Sequence, residues 1–182
     1  MSSPAEGAPQ PLSPDLRTLV LLRHGKSAYP PGVSDHDRPL APRGRREAAL
    51  AGKWIALNSV TPDYILCSSA ARTRQTLEAT GLETPTVLVD FTSSIYEAYP
   101  DELLDLVTAA PSADRTLLLV GHAPGVPGLA EMLAGPGSDT DALRRMEYKF
   151  PTSAIAVLTV QGQWADLGGA AATLVDFVVP RA

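Results

Sequence analysis

The sequence is poor in the residues that build metal cages and covalent staples. Cys67 is its one cysteine, which excludes an internal disulfide and any cysteine-rich metal cluster. Its place in an apolar run reads as a buried structural thiol rather than a reactive one. Histidine is scarce too. His24, His36 and His122 form no H-x-H or H-x-x-x-H pair, and no run of carboxylates resembles a metal site. No metal or other cofactor is expected. Positive charge is not in excess either: 15 Lys and Arg stand against 20 Asp and Glu, for a net charge of −5. That balance argues against a nucleic-acid-binding face but leaves room for a small cationic pocket, whose field is local. No apolar run approaches the roughly 18 residues that span a bilayer. Met1 to Pro14 has neither the basic nor the apolar region of a signal peptide. Its Ser, Pro, Ala and Gly content reads as a disordered leader over residues 1–15. A cytoplasmic protein, with neither membrane nor nucleic acid as partner, is the expectation. The chain has 182 residues, 45% of them hydrophobic, which fits a single domain over residues 16–182 with a proper core. No heptads or long exposed apolar helix announce an oligomer, and the oligomeric state stays open.

What is present is organised around Thr18-Leu19-Val20-Leu21-Leu22-Arg23-His24-Gly25-Lys26-Ser27. A short, fully apolar run fits a central parallel strand covered on both faces by helices. It stops at a cation, an imidazole and a glycine, and ligands of open α/β sheets bind just outside the carboxyl ends of such strands. Arginine offers a planar fork of donors suited to phosphate, and a neutral imidazole can act as a nucleophile. Gly25 lets the backbone turn and come close to a ligand.

Thr116 to Val120 repeats the design, ending in Gly121-His122. Asp63 to Cys67 is a further strand, and Ser68 to Thr76 carries it into a helix whose N-terminus suits an anion. Arg72 stands in or near the first turn of that helix, opposed to the dipole, and so answers an anion better than it serves the helix. Arg74 is a competitor that faces outward on this reading. Helices are expected from Pro42 to about Asn58, Pro100 to about Ala110, Val126 to Ala134 and Leu143 to Lys149. Strands are expected at Thr86–Phe91, Ser153–Val160 and Thr173–Val179, with a Gly/Pro/Asp loop over 135–141. The alternation gives a three-layer α/β/α sandwich with a mainly parallel central sheet, made mixed if the terminal strands form a hairpin. Ala28 to Pro42 holds four prolines and reads as a polar loop lining the pocket, with His36 stabilising it rather than touching substrate. Arg43, Arg45 and Arg46 read as a solvated basic face, with contact of one of them to a substrate as the alternative. Glu97, in the loop before the Pro100 helix, is a carboxylate available for proton transfer or a plain structural residue.

Taken together, Leu22-Arg23-His24-Gly25-Lys26-Ser27, Asp37-Arg38-Pro39-Leu40 with Arg43-Gly44, Ser68 to Thr76, Val120-Gly121-His122 and Thr152 to Ala156 resemble the histidine phosphatase (phosphoglycerate-mutase-like) superfamily. Within it the short chain is similar to the SixA-type phosphohistidine phosphatases. The resemblance covers about Leu16 to Val160. It implies that His24 accepts a phosphoryl group, that Arg23, Arg72 and His122 hold the phosphoryl oxygens, and that Gly25 and Ser27 belong to the substrate-binding set. It also implies a phosphate-bearing substrate, among which a phosphohistidine protein is favoured; a small-molecule phosphomonoesterase, acting on a sugar phosphate or nucleotide, and a non-catalytic phosphate-binding module are the alternatives. Other branches carry an acidic residue beside the second histidine, whereas Ala123 and Pro124 follow His122 here; that leaves Glu97 or no general acid.

Overall fold

The structure, a computed structural model, describes residues 15–181; apart from Asp15, the expected leader lies outside the described residues. The strands are β1 (Leu16–Arg23), β2 (Tyr64–Ser68), β3 (Leu88–Thr92), β4 (Thr116–Gly121), β5 (Ile155–Gln161) and β6 (Ala172–Val178). Interleaved with them are helices α1 (Pro42–Leu57), α2 (Ala71–Thr80), α3 (Pro100–Thr108), α4 (Gly125–Leu133) and α5 (Thr140–Tyr148). The six strands form one sheet in the order β3-β2-β4-β1-β5-β6. β1, β2, β3 and β4 pair in parallel. β5 runs antiparallel to both β1 and β6, so the sheet is mixed, with β5 the one reversed strand.

The apolar runs occupy the middle of the sheet because only there are both faces covered. In β1 the alternating side chains divide between two cores. Val20 and Leu22 pack with Ile65, Cys67 and Val120 under Ala51 and Ile55 of α1 and Leu77 of α2. Leu19 and Leu21 face the other way, toward Leu103 and Val107 of α3, Leu129 and Leu133 of α4 and Met146 of α5. This is the three-layer α/β/α arrangement. Cys67 is buried, and desolvation pushes its thiol up to about 12, which fits an inert core residue. No helix of the described residues is long and apolar enough to cross a membrane.

α5 begins at Thr140, inside the stretch expected to be loop. The Asp139 side chain accepts the Ala142 N–H at 2.7 Å and caps the helix earlier than apolar periodicity alone signals. A short helical turn at Trp164–Asp166 fills the loop before β6.

α1 and α2 cross where α1 has a glycine. A Cβ built on Gly52 would lie 2.0 Å from the Thr80 carbonyl oxygen. Gly52→Ala is therefore expected to force the helices apart and cost about 3 kcal/mol, read as a fall in urea midpoint. A loss below about 1 kcal/mol would mean that the two helices separate freely.

Candidate active site

β1 and β4 are sheet neighbours in register, with Arg23 opposite Gly121, so both histidine-bearing ends arrive at one edge. The His24 N–H donates to the Gly121 carbonyl at 2.9 Å, which continues the ladder one residue beyond the strand. The His24 and His122 ring centroids are 5.1 Å apart. Both rings are nearly buried, at 9% and 7% exposure.

The His24 ring is held by Nδ1, which lies 2.7 Å from the Gly25 carbonyl oxygen. A carbonyl only accepts, so Nδ1 carries the proton and Nε2 keeps its lone pair. Burial lowers the His24 pKa to about 4 even though the Gly25 bond opposes the shift, and Arg72, Arg23 and Arg38 push it further down. Burial, followed by the field of His24 and Arg72, lowers His122 to about 3. Both imidazoles are therefore neutral at pH 7. As pH falls from 6.5 toward 4, the unfolded chain takes up protons that the folded chain refuses, and stability declines across that window.

Arg72 sits at the start of α2, 7% exposed. In this structure the anion that it answers is Asp35. Its NH1 donates to the Asp35 carbonyl at 2.6 Å and its NH2 to the Asp35 carboxylate at 3.0 Å. The same carboxylate accepts from Arg38 at 2.7 Å and from the Tyr96 hydroxyl at 2.7 Å. These donors, Tyr96 foremost, hold the Asp35 carboxyl well below the usual carboxylate range. The Ala28–Pro42 loop is thus pinned against the site, and His36 reinforces it through Ser69 at 3.0 Å and an edge contact with the Tyr96 ring. Tyr96 in turn packs edge-on against His122, with centroids 5.5 Å apart.

Arg23 lies at the end of β1, where its NH1 donates to the Phe150 carbonyl at 2.7 Å. Ser153, fully buried and at φ +63°, gives its N–H to the carbonyls of both Arg23 and His24 at 3.1 Å. Five buried side-chain polar atoms among the described residues have no hydrogen-bond partner, and three of them are Arg23 Nε, His122 Nδ1 and Ser153 Oγ. Buried polar groups are normally paired. Unpaired ones gathered on the residues of a single sheet edge are free to meet a polar ligand.

The other residues singled out in the sequence have these places. The Gly25 N–H is taken by Thr76 Oγ1 at 2.9 Å, and a Cβ there would lie 2.7 Å from the Gly44 carbonyl oxygen. Gly25 therefore makes its close approach to α1. The Ser27 hydroxyl accepts from Arg38. Glu97 is exposed, at φ +58°, beside Tyr96 in the chain. Arg74 is exposed on α2 with its guanidinium over the Phe91 ring, away from the two histidines' contacts. Asp35, Tyr96 and Ser68 were missed as site residues. Asp35 lies in a loop already read as pocket-lining, but nothing in its spacing told that it would meet Arg72.

The pattern for the histidine phosphatase superfamily (branch 1) matches residues 19–100, a span that carries Arg23, His24 and Arg72. A Mycobacterium tuberculosis protein of uncharacterized function is 48% identical over 161 residues, covering 88% of this chain and all of that protein. A solved structure assigned to SixA from Nakamurella multipartitia superposes with a TM-score of 0.81 at 40% identity, covering 92% of this chain and 98% of that one. A protein histidine phosphatase SixA solved with tungstate superposes with a TM-score of 0.68 at 27% identity, covering 90% and 97%. The chain belongs to the histidine phosphatase superfamily. Within that class it is of the SixA type.

Proposed function

We propose that the chain is a phosphatase that works through a phosphohistidine on His24 and acts on phosphohistidine borne by proteins. Membership of the superfamily and the SixA-like structures support the phosphatase activity itself. The observation that carries the mechanism is the His24 Nδ1 bond to the Gly25 carbonyl, which leaves Nε2 unprotonated at a buried edge beside Arg23, Arg72 and His122. Nε2 attacks phosphorus while the bond from phosphorus to the leaving nitrogen breaks. Water then attacks the phosphorus on His24, giving inorganic phosphate and the free imidazole. Charge spread over three equatorial oxygens calls for positioned cations and N–H donors more than for a strong base. Tungstate, an oxyanion, accompanies one of the SixA structures, in keeping with an oxyanion site.

The leaving group decides the substrate class. An imidazole can leave already protonated, whereas an alkoxide needs a proton from the enzyme. Glu97 is exposed, and among the described residues the segment from α2 to β4 holds only β3, one short turn and α3, too little chain for a large lid beyond the Ala28–Pro42 loop. A site without a large lid suits a phosphate carried by another protein. Phosphate release should be measured from a phosphohistidine-bearing protein and from sugar, aryl and nucleotide monoesters. Release at least about 100-fold faster from phosphohistidine, with Glu97→Gln within about threefold of wild type, is the expected result. Faster turnover of alkyl esters, lost in Glu97→Gln, would make the chain a small-molecule phosphomonoesterase. Binding of phosphate with no release from any substrate would make it a binding module.

The acid limb offers a separate check. For kcat/KM, which reports the free enzyme, the enzyme's own limb is expected near pH 4. A limb near 6.5 would show that the ring is solvated and not desolvated as the geometry requires.

A further inference from the structure

We propose that Ser68 fixes the tautomer of His122, so that Nδ1–H is presented as a donor to the phosphoryl oxygens. The inference rests on the phosphatase reading above and adds to it a positioning residue at the end of β2. His122 Nε2 lies 2.8 Å from Ser68 Oγ, and Ser68 is fully buried. Ser68 Oγ also accepts the Ala70 N–H, at a long 3.4 Å, where the chain enters α2.

Two proton arrangements fit the short contact. In one, His122 Nε2–H donates to Ser68. The hydroxyl then accepts from both His122 and Ala70, its own proton has no acceptor, and His122 Nδ1 is an unpaired buried acceptor. In the other, Ser68 O–H donates to Nε2 while still accepting from Ala70, and His122 Nδ1–H is the sole group left without a partner. Each unmade buried hydrogen bond costs about 1–3 kcal/mol, so the arrangement with one orphan is favoured over the one with two.

The orphan in the favoured arrangement is a donor. Nδ1 is buried and unpartnered, on a ring 5.1 Å from that of His24. An N–H there complements an anion, whereas a lone pair would repel it. Neutral His122 can thus bind a phosphoryl oxygen without being protonated. The Ala70→Ser68→His122 chain links the helix carrying Arg72 to the strand end carrying His122, so that one serine orients what two elements bring.

The test uses the full chain with 15N-labelled histidine, as wild type, Ser68→Ala and Ser68→Thr. Long-range 1H–15N correlation reads the His122 tautomer, and calorimetry with tungstate reads oxyanion affinity without turnover. Nδ1–H in wild type is expected, along with a shift toward Nε2–H and about tenfold weaker tungstate binding in Ser68→Ala, and recovery of both in Ser68→Thr. Nε2–H in wild type would overturn the proposal. So would Ser68→Ala with an unchanged tautomer and tungstate affinity within twofold. Ser68→Ala alone decides the matter if the larger threonine unsettles the fold, since losing a hydroxyl leaves the packing nearly intact. Absence of turnover with these readings as expected would sink the phosphatase reading and leave the tautomer assignment standing.

Discussion

His24→Asn is expected to lower phosphate release by about 10⁴-fold or more while leaving the protein folded and able to bind phosphate. The asparagine amide can still donate to the Gly25 carbonyl where Nδ1 does now, at 2.7 Å, so the local turn keeps its hydrogen bond. What disappears is Nε2, the lone pair that would take the phosphoryl group. Arg23, Arg72 and His122 remain, and with them most of the donors proposed for the phosphoryl oxygens. Oxyanion affinity within about tenfold of wild type, alongside lost turnover, is the pattern of a missing nucleophile. Wild-type protein quenched in base during turnover should carry phosphate on His24, and the variant should carry none. Variant turnover within tenfold of wild type would exclude a covalent intermediate on this residue and require direct attack by water.

Much of this edge was legible because buried parallel strands have a simple signature. Leu19–Leu22 and Leu117–Val120 are continuous apolar runs, each stopping where chemistry-bearing residues begin. A sheet that buries both runs brings their ends to one edge, and the structure places β1 and β4 side by side. A mixed sheet was readable as one of two outcomes, from the turn expected after Val160; β6 begins only at Ala172, beyond a short helical turn. The start of α5 was not, because a side-chain cap at Asp139 is a local hydrogen bond and leaves no periodic trace. Asp35 and Tyr96 were illegible for another reason. Each lies in irregular chain, and they meet 61 residues apart in sequence. Where a proline-rich loop comes to rest depends on contacts that form only after the sheet and helices exist. Ser68 was visible as a small hydroxyl residue at a helix entry, but its partner His122 belongs to another strand. Gly25 shows the converse: its need to be glycine was legible, and the neighbour that demands it, Gly44, was not.

Asp35→Asn is the second large effect expected, and two opposing forces must be weighed to find its sign. The carboxylate is a negative charge beside the proposed anion site, so neutralising it should favour phosphate. It also aims Arg72, which bonds to its carbonyl and carboxylate together, and it ties Arg38 and Tyr96 to the same point. The electrostatic gain is small because the Asp35 side chain is 52% exposed: charges in such surroundings interact by about 1 kcal/mol or less. Misaiming a catalytic cation by about 1 Å can cost on the order of 100-fold in rate, or about 2.7 kcal/mol. Positioning therefore wins for the chemical step, and the charge shows only in binding. kcat is expected to fall about 100-fold in Asp35→Asn, while the inhibition constant for inorganic phosphate stays level or tightens severalfold. Tyr96→Phe removes one of the contacts and leaves the arginines paired, so its kcat should fall less than about tenfold. If Asp35→Asn instead weakens phosphate binding and leaves kcat unchanged, Arg72 is aimed by the fold of α2 itself and the loop is only a cover. If kcat and phosphate affinity fall together, Arg72 holds the phosphoryl group as firmly in the ground state as in the transition state. The split between the two constants thus tells whether the Ala28–Pro42 loop works on the reaction or merely lies over it.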